Sequence, residues 1–343
     1  DIRDQAFCRG LVAAAVRLRF PFFPLLSAPA SMINMRSRDK ENPFADRRAA
    51  PLVGRPAPLR PDDGARMRSP RFFSLVRRSG LPALLRATDQ KEKITILVFH
   101  EIRPELADRA FGYLRRAYNV IPLSSAVEAI VRKDRSLLPL RPLVITFDDG
   151  RMSNRALLPA IAKHKVPVTI FLCAGIVGTS RHFWFSHEAA ERHDAKWKKL
   201  SYTKRLASLR RDGFVFETEY GDRQALSRAE IEEMRPFVDF ESHSMFHENM
   251  VTCGEDDLRR AVFGSKEKLE KDFGLAISAF AYPTGERDRS HTALIRRAGY
   301  RCAMTMDPGF NSIRTDPFLL KRIEGLGDET AGTLDEVIVR ASG

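Results

Sequence analysis

From residue 94 to residue 343, short runs that are apolar at every position alternate with longer stretches whose apolar residues recur every three or four places. Residues 94–99 (ITILVF), 143–147 (LVITF) and 167–172 (PVTIFL) are runs of the first kind, rich in β-branched and aromatic side chains. Residues 237–240, 279–282, 300–305 and 318–323 repeat the pattern more weakly. Helical spacing fills the gaps: 107–118, 124–133 with Ser124 or Ser125 as cap, 154–165, a turn over 231–234, a long charged stretch 255–273, and 292–298. Strands without a polar face are buried on both sides, which predicts a parallel sheet wrapped by helices. Seven or eight such units in about 250 residues predict an α/β fold, a distorted TIM-like (β/α)7–8 barrel. One stretch breaks the alternation. Residues 175–228 are charge-rich, contain His182, Trp184, His187, His193 and Trp197, and read as an insertion on the side of the barrel that carries the chemistry.

Charge sharpens the domain picture. The chain of 343 residues has 57 Lys and Arg against 44 Asp and Glu, a formal charge of +13. Residues 1–93 hold 19 of the basic and 9 of the acidic side chains, together with 10 of the 20 prolines. This quarter reads as a basic, Pro/Arg-rich leader, mostly disordered, with a short helix over 72–86 leading into the fold. The remainder, 94–343, is close to charge balance and carries enough apolar residues for a sizeable core. A solvated tail is the plain reading of the basic leader, so no nucleic-acid partner is expected. Its apolar runs at 11–16 and 20–26 are split by Arg17, Arg19, Pro21 and Pro24, unlike a secretory signal, so the expectation leans to the cytoplasm with the location itself left open. No run approaches the 18 apolar residues of a membrane span. Cys8, Cys173, Cys253 and Cys302 stand alone, with no zinc-ribbon or redox spacing.

The candidate chemistry sits at strand ends. Thr146-Phe147-Asp148-Asp149-Gly150 places two adjacent carboxylates after an apolar strand, where α/β barrels build their sites. Adjacent acids point in different directions, so one can ligate a cation while the other stays a free base. Asp-Asp-Gly is also good turn chemistry, and alone it favours a solvated turn. His243 and His247 follow the strand at 237–240; a helical turn there brings both imidazoles to one side, within reach of one metal. Two His and one carboxylate leave coordination positions open, as catalytic sites do.

These residues resemble a known family. Thr146–Gly150, His243-Ser-Met-Phe-His247 and Phe280-Ala-Tyr-Pro-Thr-Gly285 are similar, in order, to the motifs of the NodB-homology polysaccharide deacetylases, carbohydrate esterase family four, in a Phe-Ala-Tyr-Pro version. Ile96–Ile102, Pro167–Leu172, Ala298–Tyr300 and Leu320–Ile323 resemble the family's framework, so the likeness spans roughly residues 94–325. The resemblance implies a metal-dependent hydrolase that removes N-acetyl groups from an amino-sugar glycan such as a chitooligosaccharide. It implies Asp149, His243 and His247 as ligands of one divalent ion, zinc, Asp148 as general base, and the backbone N–H of Tyr282 as oxyanion donor. The chain departs from the family in three ways. Ala281 stands where many members carry an Arg that orients the catalytic Asp. The stretch 317–325 lacks the late His that serves as general acid; Arg322 there is read as orienting a carboxylate or contacting substrate, and His100 as the candidate proton donor. The third departure is the insertion, in which Phe183-Trp184-Phe185 offers a sugar platform or, for at least two of the three, core packing. His182, His187 and His193 read as solvated rather than as a second metal cluster. Alternatives within reach of the same motifs are an O-acetyl esterase, a deformylase of a related sugar, and a glycan-binding relative without turnover.

Overall fold

A computed structural model of the chain describes residues 69–188, 190, 200–327 and 331–343. The leader over 1–68, with Cys8, and His193 and Trp197 of the insertion lie outside them. Among the described residues eight strands form one sheet: β1 Thr95–Phe99, β2 Asn119–Val120, β3 Pro142–Phe147, β4 Val168–Leu172, β5 Val238–Ser242, β6 Ala279–Ala281, β7 Cys302–Met304 and β8 Ile323–Glu324. Their order is β7-β6-β5-β4-β3-β1-β8, with β2 beside β3, and the named pairs are parallel. Just before β8, Leu320 forms a parallel bridge to Met304. The segment that runs into β8 thus touches β7 on one side and β1 on the other, and the curled sheet becomes a distorted barrel.

The two-residue period of a strand sorts side chains between two cores. Leu97, Phe99, Leu143, Ile145, Phe147, Val168 and Ile170 pack outward beneath the helices. Ile96, Val144, Phe171, Ala279, Ala281, Cys302, Met304 and Leu320 fill the lumen, where Leu123, Ala126, Val127 and Ile130 of helix Leu123–Arg132 join them. The same alternation carries Asp148, His243 and Arg322 to the lumen side, two residues beyond Thr146, Glu241 and Leu320 respectively.

The element boundaries differ from the pattern at identifiable places. The helix expected over 72–86 is two, Pro70–Arg78 and Leu81–Ala87, parted at Gly80, whose φ of +75° ends the first. Phe73 is buried, and Arg77 pairs with Asp335 of the C-terminal helix Leu334–Arg340. The stretch 255–273 contains a π-helical turn, Arg260–Gly264, between Glu255–Arg259 and Ser265–Phe273. The late strand at 318–323 shrinks to the Leu320 bridge and the two residues of β8. Among the described residues no helix is long and apolar enough to cross a membrane.

Barrel closure depends on one close approach. The Gly325 amide donates to the Val98 carbonyl at 2.9 Å, and a Cβ at Gly325 would lie 2.0 Å from Cε1 of the buried Phe99 ring. The ring is packed on Phe147, with centroids 5.4 Å apart, and has nowhere to go. Gly325→Ala is therefore expected to lower stability by about 1–3 kcal/mol in urea denaturation; an unchanged midpoint would contradict this account of the β1–β8 seam.

Candidate metal centre

Asp148 and Asp149 part company because the backbone turns between them. The Asp148 amide continues the ladder, donating to the Phe99 carbonyl at 2.9 Å, whereas Asp149 has a left-handed φ of +71°. His243 directly follows β5, its amide donating to the Leu172 carbonyl at 2.8 Å. The two histidines meet without a helical turn, contrary to the expectation from their spacing. Ser244 and His247 have φ of +68° and +57°, so the chain doubles back instead. Glu248 secures that reversal: its Oε2 accepts from Ser244 Oγ at 2.7 Å and from the Phe246 amide at 2.9 Å. Glu248 is buried and escaped the sequence reading, since an acid after HxxxH looks like any surface acid.

The resulting triad is compact. Asp149 Oδ1 lies 3.6 Å from Nε2 of both His243 and His247, and the three candidate ligand atoms fall within 4.8 Å of one another. Asp149 is 1 % exposed, and its Oδ1 has no hydrogen-bond partner. Burial raises the carboxyl's pKa, but His247, His100, His243 and Arg151 outweigh that and hold it below the usual range. Burial pushes the His247 imidazole down to about 3, with the Asp149 charge opposing, so its ring is neutral at ordinary pH. His243 hydrogen-bonds the Ala281 carbonyl through Nδ1 at 2.9 Å; with the proton on Nδ1, Nε2 presents its lone pair to Asp149. An orphaned buried carboxylate oxygen facing two imidazole nitrogens is costly as it stands and is resolved by a cation. The donor set fits a borderline ion such as zinc.

Beside the triad, Asp148 is held by a bidentate pair with Arg322. Nη1 and Nη2 donate to Oδ1 and Oδ2, each at 2.7 Å, and Nε donates to the Thr305 carbonyl at 2.9 Å. Both side chains are buried, Arg322 completely. Burial pushes the Asp148 carboxyl up, but Arg322, through its charge and its two hydrogen bonds, prevails and keeps it well below the usual carboxylate range. Ala281 is buried and too short to reach anything polar; the guanidinium arrives from the approach to β8 instead of from β6.

The remaining expected site residues line one cleft of about 840 Å³ with the triad, but in different ways. His100, half-buried, stands on its wall, its carbonyl accepting from Asn154 Nδ2 at 3.0 Å. Tyr282 requires a correction: its amide donates to the Met304 carbonyl at 3.0 Å as the β6–β7 ladder continues, so this N–H is not free to meet an oxyanion. Thr284, two residues on, does line the cleft; it has φ of +60°, and its Oγ1 is buried without a partner. Phe183 and Trp184 are buried, 1 % and 2 % exposed; Trp184 and Phe185 line the cleft, the Phe185 ring edge-on to His247. His182 stacks on Tyr220 and pairs with Asp222, and His187 packs on Phe214; the two do not converge on a metal site.

Residues 138–303, which include the triad, match the profile of the family described as polysaccharide deacetylase. No curated protein sequence matches the chain. Among solved structures, IcaB from Ammonifex degensii is similar at 18% identity and a TM-score of 0.54, over 74% of this chain and 99% of that one. The Streptococcus pyogenes deacetylase PplD, solved with acetate, is similar at 17% identity and 0.53, over 73% and 99%. A polysaccharide deacetylase from Bacillus cereus is similar at 19% and 0.51, over 74% and 70%. At these identities the structural likenesses speak for the fold.

Removing Arg322 leaves a buried carboxylate uncompensated. Arg322→Met is expected to cost about 3–5 kcal/mol at pH 7 in urea denaturation. Because the pairing depresses the folded-state pKa of Asp148, its contribution is complete above the unfolded value of about 4 and is lost as pH falls below it. The gap between wild type and variant should therefore narrow from pH 7 to pH 3; a gap that does not change with pH would contradict this assignment.

Proposed function

We propose that this chain, whose residues 138–303 match the polysaccharide deacetylase family, is a metal-dependent hydrolase that removes N-acetyl groups from an amino-sugar glycan. The observation that carries the reading is the unpartnered Asp149 Oδ1 between two imidazole nitrogens, with the ionised Asp148 alongside. In this reading Asp149, His243 and His247 hold one divalent ion, zinc by donor type. When bound, such an ion makes water more acidic and polarises an acyl carbonyl.

The protein groups divide the rest of the work. Asp148 accepts a proton from the attacking water; its two oxygens stand in a geometry set by Arg322, which acts as a positioning residue and stays protonated throughout. Thr284 Oγ1, unpartnered on the cleft wall, takes over from Tyr282 as the protein donor toward the oxyanion. His100, across the cleft, delivers a proton to the departing amine. The C–N bond breaks, and acetate and the free amino sugar leave. The Phe185 ring provides an apolar wall for a sugar face. Chitooligosaccharides are the proposed substrate class. An O-acetyl or N-formyl group can occupy the same machinery, but a binding-only role leaves the ionised, oriented Asp148 without a use.

The test is acetate release from N-acetylglucosamine oligomers. Chelation is expected to abolish it and added zinc to restore it, with Asp148→Asn lowering kcat by roughly 10²–10⁴-fold while zinc still binds. Full activity of the metal-free protein would contradict the mechanism, and turnover confined to acetyl esters would move the acyl class.

A further inference from the structure

Arg151 is absent from the family motifs quoted above and from the roles assigned so far, yet it touches the candidate metal ligand directly. Its Nε donates to Asp149 Oδ2 at 3.1 Å, and its Nη1 to Glu101 Oε2 at 3.2 Å. Glu101 in turn accepts from Ser153 Oγ. The guanidinium lies 5.6 Å from the Phe185 ring centroid and 6.0 Å from that of Phe183. Its backbone is pinned as well: Arg151 forms an antiparallel bridge to Ala225, and the Met152 amide donates to the Gln224 carbonyl at 2.8 Å. The guanidinium is thus held at its end, its face and its base.

From this we infer that Arg151 is a positioning residue for the metal site: it occupies one oxygen of Asp149 so that only the other, Oδ1, is presented to the cation. This rests on the metal-dependent reading given above. A carboxylate free at both oxygens can chelate a cation through both and use up a coordination position; tying Oδ2 to Arg151 favours one-oxygen ligation and keeps positions open for water and the acyl oxygen. A guanidinium near a divalent ion also repels it. Glu101 offsets that charge, so orientation of Asp149 is the larger effect. The residue further links the insertion to the chemistry, because the segment that bridges to its backbone and the rings against its face both belong to that excursion.

The experiment measures zinc affinity of the full-length protein by competition with a chromophoric chelator, alongside kcat and KM at saturating zinc. Arg151→Ala is expected to weaken zinc binding by about 10–100-fold, the range for partners of metal ligands, and to lower kcat with KM little changed. Arg151→Lys should recover part of the affinity, since an ammonium can donate to Oδ2 without reaching Glu101. Glu101→Gln, at the accessible end of the relay, is expected to weaken zinc in the same direction by less; it keeps the inference testable if Arg151→Ala folds poorly. Wild-type zinc affinity in Arg151→Ala would overturn the inference alone. A wild-type protein that binds no zinc would instead overturn the metal-dependent reading beneath it.

Discussion

The buried pair between Asp148 and Arg322 is the constraint around which the domain is arranged. A carboxylate and a guanidinium both removed from water are tolerated only when each is fully paired, and here every guanidinium nitrogen has an acceptor. The two partners lie 174 residues apart in the chain. The pair therefore forms only if the last strand returns beside the first, and closure of the barrel and assembly of the site are the same event. Gly325 against Phe99 and the Leu320–Met304 bridge set the path of that return. A longer side chain at Ala281 would enter the lumen already occupied by Arg322. One cation suffices for one carboxylate, and this chain supplies it from the approach to β8.

Around that pair, local backbone chemistry does the aiming. Alternation along β3 and β5 delivers Asp148 and His243 to the lumen, where the barrel excludes water and electrostatic interactions gain strength. Left-handed residues then redirect the chain: Asp149 just after β3, and Ser244 and His247 after β5. Glu248 and Arg151 are the fasteners, the first holding the histidine turn and the second the outer oxygen of Asp149. Neither needs to touch substrate to matter.

Much of this was legible in the amino-acid order. Runs such as 143–147 admit only a strand buried on both faces, and strand-end Asp-Asp with HxxxH pointed to a cation site before any geometry was known. Arg322 was legible as a residue to orient a carboxylate or contact substrate, but not which carboxylate, because pairing across 174 residues leaves no local trace. The Tyr282 amide, expected to face the cleft, still belongs to the ladder of β6, and strand ends are where periodicity fades. The helical turn expected for the histidines failed for a related reason. Spacing of four fits a helix, but a reversal stapled by Glu248 brings the same two rings together, with centroids 4.9 Å apart. Arg151 was invisible because an arginine after Asp-Asp-Gly reads as a solvated turn residue.

A double-mutant cycle in unfolding free energy, built from Asp148→Asn, Arg322→Met and the double variant, tests the dependence on this pair most directly. If the two side chains are each other's partner in the lumen, the double variant should be far less destabilised than the sum of the singles, with a coupling on the order of 1–3 kcal/mol. Additive losses would show that Arg322 stabilises the barrel without holding Asp148, and the account of the site would fail with it.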